Sequence, residues 1–227
     1  MNRVINLLLL LLLVPTMLVT IFVGFDLPIG FLRVSGQSLP YKEEIFLGLG
    51  IFILIVLLRR TIRRWMGAQV VKKKAKFKWN VRAGKERVKR VITYLFLEAL
   101  VMTFIGVALY TITEDAWLPA AAFIFGALDS LIFGILGNMN HWFRIGLSSK
   151  ALIVADREVT LLYFNGLRKV TIHQSSIYFD YIKGLQLSFP LDCIPEDRMD
   201  EFFQELEGSI NKDKVYFIKN SGYGKYP

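Results

Sequence analysis

The chain has 227 residues, with 28 Lys+Arg against 19 Asp+Glu, a formal net charge of +9 and one cysteine; 54% of it is hydrophobic and 14% aromatic. A single Cys, Cys193, excludes a disulfide framework and a thiolate zinc site, which need several, and the aromatic content excludes disorder. The apolar residues collect in long blocks, so length alone is a poor guide to domain count.

A hydrocarbon core of about 30 Å takes roughly 20 helical residues to cross. Residues 4–25 form a first block whose only markedly polar members are Asn6, Thr16 and Thr20. Pro15 lies inside it, which a membrane helix tolerates. The run is longer than the core of a secretion signal, and no small-x-small cleavage site follows before Asp26, so a retained span is expected. The second block, residues 45–58, is flanked by Glu43–Glu44 and Arg59–Arg60. The arginine stems are expected to snorkel and extend this span to about residues 45–62, with a helix continuing as far as Trp65. The third block, residues 91–113, is broken by Glu98, and the fourth, residues 117–140, by Asp129. Only Glu114, Asp115 and Ala116 separate these two, which predicts a tight helical hairpin. Trp117 and Trp142 resemble the aromatic anchors of membrane interfaces.

Charge supplies an orientation. Residues 59–90 hold fourteen Lys/Arg and one acid, leaving fourteen bases against eighteen acids elsewhere. The positive-inside rule places this connector, residues 63–90, in the cytoplasm. Four spans then put both termini inside and the two acidic loops outside, in the inner membrane. The run Lys72, Lys73, Lys74, Lys76, interleaved with Phe77 and Trp79, also invites a nucleic-acid reading. Beside apolar spans, however, such clusters are topology signals that double as contacts for anionic lipid headgroups. Nucleic acid is not expected as a partner; the lipid bilayer is.

From Arg144 onward the periodicity turns from helical to alternating. Residues 151–155 and 159–164 are strand-like. Asn165-Gly166 suits a type I′ hairpin, and residues 167–172 place Val170 and Ile172 on one face. Ile177, Phe179 and Tyr181 alternate with polar neighbours, Lys183-Gly184 makes a turn, and Leu185, Leu187 and Phe189 alternate again. A helix follows, with Pro195 at its first position and Gly208 at its stop. Met199, Phe202, Phe203 and Leu206 form its apolar stripe. Residues 214–219 read as an extra edge strand and 222–227 as a frayed end.

Strands capped by one helix, after a membrane hairpin, resemble the bacterial pleckstrin-homology-like domains of the YcxB type. The resemblance rests on Arg144-Ile145-Gly146-Leu147 through Leu161-Leu162-Tyr163-Phe164, the strand containing Ile177, and Pro190-Leu191-Asp192-Cys193-Ile194-Pro195 entering the helix. It covers residues 144–208 and implies a small cytoplasmic α+β domain, with an antiparallel sheet capped by a C-terminal helix, over residues 144–227. It also implies a membrane-tethered scaffold rather than a reaction. Such domains have seven strands; about five are predicted here, and residues 75–81 of the basic connector are a source for a missing one.

Glu98 and Asp129 are the sharpest features of the four-helix transmembrane region, residues 1–143. An ionised carboxylate in lipid is costly and usually faces a bundle interior or a cavity. Neither block offers a Lys or Arg, so each acid is expected to be protonated or to bond hydroxyls such as Thr103, Ser130 and Tyr94. A proton or cation site is one reading; interhelical hydrogen-bond glue is the other, and the favoured one. Ala122, Gly126, Ser130 and Gly134 recur every four residues, a small-residue ridge for packing against the third block (Ala99, Thr103, Gly106) or against a second copy of the chain.

No P-loop, dinucleotide turn, HExxH or GxSxG occurs. His141 reads as interfacial, His173 as solvated, and Cys193 as a small buried hydrophobe. No enzymatic activity and no cofactor are expected. The leading expectation is an integral membrane scaffold or interaction module. A small transporter or ion-conducting subunit using Glu98 and Asp129, or an accessory or immunity-type subunit bound to a membrane-protein partner, stands as the alternative.

Overall fold

The computed structural model describes residues 2–29, 34–173, 175–211 and 215–219. Residues 222–227, read as frayed, and Lys214 lie outside the described residues. Two compact units are present: Met1–Arg63 with Thr93–Ile135, and Arg64–Ile92 with Leu136–Pro227.

The first unit is helical. It contains α1 (Asn2–Gly24), most of α2 (Lys42–Lys72) and α3 (Lys85–Ile112), and most of α4 (Trp117–Met139), with a short β1–β2 hairpin (Pro28–Ile29, Val34–Ser35) after α1. Among the described residues, four helices are long and apolar enough to cross a membrane. The second of them is longer than expected: at about 1.5 Å per residue, the 31 residues of α2 reach roughly 46 Å. Arg59 and Arg60 therefore lie in mid-helix, not at its end. Thr16 and Thr20, two of the polar members of α1, are buried and satisfied locally, each hydroxyl donating to the carbonyl four residues back at 2.7 Å. The α3–α4 hairpin turns through Glu114–Ala116, and Asp115 pairs with Lys42 at the start of α2 (2.8 Å).

The second unit is built on two sheets and a helix. One sheet has the order β3 (Trp79–Arg82), β4 (Arg144–Leu147), β5 (Ala151–Ala155), β6 (Val159–Tyr163), all antiparallel. The other has β7 (Leu167–His173), β8 (Ser176–Tyr181) and β9 (Gln186–Pro190) antiparallel, with β10 (Tyr216–Lys219) added parallel to β7. Helix α5 (Met199–Ser209) turns Phe202, Phe203 and Leu206 into the core, where Phe202 touches Trp79, Phe189 and Phe203 at ring-centroid distances of 5.2–5.9 Å.

The basic connector supplies a strand to this unit, as expected of residues 75–81, although the strand runs Trp79–Arg82: β3 pairs with β4 across more than sixty residues of sequence, and Trp79 brings its ring into the core. The alternation of Trp79 and Val81 with Asn80 and Arg82 is too short to fix its bounds beside so many lysines. Other expectations change. Asn165-Gly166 does not close a hairpin. Only Gly166 has a positive φ (+79°), and the chain passes there from one sheet to the other, since β6 and β7 belong to different sheets. A type I′ turn needs positive φ at both positions. Pro195 precedes a 3₁₀ turn (Glu196–Arg198) rather than opening α5, and the helix runs one residue past Gly208.

Candidate functional site

The polar centre of the first unit is assembled by three helices. The buried positions of α2 run Phe46, Gly50, Ile53, Leu57, Arg60, alternating four and three residues apart, a seam that α2 turns towards its neighbours. Arg60 sits on that seam. Its guanidinium forms an ion pair with Glu98 of α3 and donates from Nη2 to Ser130 Oγ of α4 at 3.2 Å. Ser130 Oγ donates to Glu98 Oε1 at 2.9 Å. The Arg60 side chain is 9% exposed, that of Glu98 is 21% exposed, and Ser130 is fully buried. Glu98 thus meets a cation, which corrects the expectation that it lacks a cationic partner. The missing partner lies on α2, and the signal that finds it is the seam: continuing the spacing of Phe46, Gly50, Ile53 and Leu57 lands on Arg60.

Of the hydroxyls expected to serve the acids, Ser130 does so, while Thr103 lies on the exposed side of α3. Tyr94 is half-exposed, and Asp129 is half-buried next to Ser130. The small-residue ridge is used within the chain. Ala122, Gly126, Ser130 and Gly134 are all buried. A Cβ on Gly126 would lie 2.9 Å from Met102 Sδ of α3 and 3.2 Å from Leu57 of α2, and one on Gly134 would lie 3.5 Å from Leu95. Across the hairpin, Gly106 approaches the Ala120 carbonyl as closely, 3.0 Å from an added Cβ. The ridge therefore draws α2 and α3 onto α4, and the surface offered to a second copy is already covered.

In the second unit, Lys72, Lys73 and Lys76 are exposed, and Lys74 opens a 3₁₀ turn (Lys74–Lys76). Lys72 Nζ lies 5.9 Å from the centroid of the Trp142 ring, which meets Trp65 edge-on at 5.4 Å. Arg87 bridges Asp156 (2.6 Å) and Asp192 (3.7 Å), and Arg90 joins Asp192 at 2.7 Å. Between them Cys193 is buried, its carbonyl accepting from Gly84 N–H at 3.0 Å. Burial pushes the Cys193 thiol well above the ordinary range for cysteine and raises the Tyr181 phenol in the same way. His141 and His173 are exposed, and His141 holds a positive φ of 55°. Among the described residues, no group of three His, Cys, Asp or Glu side chains converges as a metal site would require.

No family model, no curated protein and no solved structure matches the chain.

Proposed function

We propose that this chain is a multi-pass inner-membrane protein whose four helices anchor a cytoplasmic pleckstrin-homology-like unit, which it presents at the membrane surface as a scaffold or interaction module. One observation carries the reading: the polarity of the first unit is inverted. Its outward positions are held by Leu7, Leu11, Phe52, Leu100 and Phe104, among others, while Arg60 and Ser130 are inside. A surface of that kind suits hydrocarbon and not water. The excess of Lys/Arg in residues 59–90 favours a cytoplasmic connector.

The order of four antiparallel strands, then three, then a helix supports the pleckstrin-homology-like assignment. The connector supplies β3, which brings the count before α5 to the seven that such domains have. The Arg60–Glu98–Ser130 arrangement favours a packing role for Glu98 over a proton or cation site, because its carboxylate is already engaged by a fixed positive charge.

The test is topological. The chain should stay with vesicles through alkaline washing, a carboxyl-terminal reporter should be active only in the cytoplasm, and a cysteine placed at Ser38 should be labelled from the outside. Release by alkali, or a carboxyl terminus labelled from the periplasm, would overturn the proposal.

A further inference from the structure

Arg82 and Arg144 are direct register partners in the antiparallel β3–β4 pair. Residues so placed project from the same face with Cβ atoms about 4.5–5.5 Å apart, and like charges there destabilise the sheet. Five other cations, Lys42, Arg60, Arg87, Arg90 and Arg198, meet carboxylates. Among the described residues, Arg82 and Arg144 meet only amides. Arg82 Nη2 donates to Asn138 Oδ1 at 3.3 Å, and Arg144 Nε donates to Asn80 Oδ1 at 2.6 Å. Asn80 is fixed in turn, its Nδ2 donating to the Val71 carbonyl at 2.9 Å. Burial, and then the charge of Arg82, lower the pKa of Arg144.

Part of the repulsion is offset locally. Val71 and Asn138 are each next to the last residue of a helix, α2 and α4, and a helix C-terminus carries about half a negative charge. Two such ends supply about one unit against two guanidinium charges. The remainder calls for an anion with several acceptor oxygens, and each guanidinium spends only one nitrogen on the protein, leaving planar forks of the kind that bind phosphate. The surroundings select the source. Arg82 precedes α3 by three residues and Arg144 follows α4 by five, and the same unit holds Trp65, Trp142 and Lys72 in contact, the composition of a headgroup belt.

We propose that Arg82 and Arg144 together hold the phosphate of an anionic phospholipid at the cytoplasmic headgroup layer. The site deepens the membrane reading above and rests on it.

The full chain in nanodiscs tests it, in salt high enough to screen the exposed lysines. Thermal unfolding should move up by about 2–4 °C when phosphatidylglycerol is mixed into phosphatidylcholine. The double variant Arg82→Gln, Arg144→Gln should lose that difference. Asn138→Asp, which places a carboxylate beside Arg82, should raise stability in phosphatidylcholine alone and remove most of the lipid dependence, and it remains informative if the double variant does not fold. A lipid-dependent shift that survives in either variant would overturn the site. An equal shift from inorganic phosphate added to phosphatidylcholine discs would overturn the lipid as its occupant. Failure of the membrane reading looks different: the chain would stay soluble without detergent and never enter the discs.

Discussion

The first unit turns Leu7, Leu11, Phe52, Leu100 and Phe104 outward and keeps Arg60 and Ser130 inside. The second buries Phe179, Phe189 and Phe202 and leaves Lys73, Lys85, Glu196 and Asp197 outside. On the membrane reading proposed above, both obey the same rule under different surroundings. In the second unit, stability comes from removing apolar area from water, at about 25 cal/mol per Å². Where the surroundings are themselves apolar, that term vanishes between helices, and association rests on close approach of small residues and on polar groups that have no better partner. The ridge on α4 and the Arg60–Glu98–Ser130 arrangement are those two devices, and the second unit has no need of either.

The contrast predicts opposite responses to the same kind of change. In the second unit, Phe202→Ala deletes the ring shared by Trp79, Phe189 and Phe203 and should cost about 3–5 kcal/mol. Limited proteolysis should then cut within residues 144–211 while α1 and α4 stay resistant. In the first unit, Arg60→Leu or Glu98→Leu alone should cost about 3–5 kcal/mol, because either leaves a buried charge without its partner. The double variant should recover most of that loss, since no buried charge is left unmatched and the Ser130 hydroxyl can turn to the carbonyl four residues back. A double-mutant cycle on thermal unfolding in detergent decides it; additive losses would mean that the two residues act separately.

Cys193 separates the units by pH. Its raised thiol pKa means that the folded second unit holds the neutral form, whereas the unfolded chain ionises near pH 8.5. The unfolded state therefore binds fewer protons than the folded state above that pH. Stability from this group is complete below about pH 8.5 and declines as pH rises beyond it, by at most about 1.4 kcal/mol per pH unit. Denaturation of the second unit between pH 8 and pH 10 should show this slope, and Cys193→Ala should flatten it. A thiol alkylated at pH 8 in the folded protein would contradict the burial that causes it.

What the sequence reveals follows the strength of each periodic signal. The helix blocks, the strands at residues 151–155 and 167–172 and the stripe of α5 are readable because many residues repeat one pattern. Strand β3 has four residues inside a run of lysines, and only its partner β4, sixty residues on, reveals its register. Asn165-Gly166 misleads because a turn dipeptide says that the chain reverses, not which strands pair. For the polar centre, Glu98 and Ser130 are readable as polar residues in apolar blocks. Arg60 is not, because the doublet Arg59-Arg60 resembles a span boundary. The two arginines are adjacent, 100° apart on the helix, so only one of them can follow the buried seam.

The smallest expected effect is the most direct comparison, because it sets one arginine–carboxylate pair against another. Arg198 reaches Glu201, three residues on, at 2.9 Å, and the two side chains are 51% and 47% exposed. Water already solvates much of the charge, and exposed pairs contribute about 0.2–1 kcal/mol. Arg198→Gln should therefore lower the stability of the second unit by less than about 1 kcal/mol. That loss should shrink as salt is raised, with the Debye length falling from about 10 Å at 0.1 M to about 3 Å at 1 M. The loss from Arg60→Leu should change much less over the same range, since the Arg60 side chain is only 9% exposed. Unfolding of both variants along one salt series gives the answer: parallel salt dependence would place Arg60 in contact with water and remove the inversion of polarity on which the membrane reading depends.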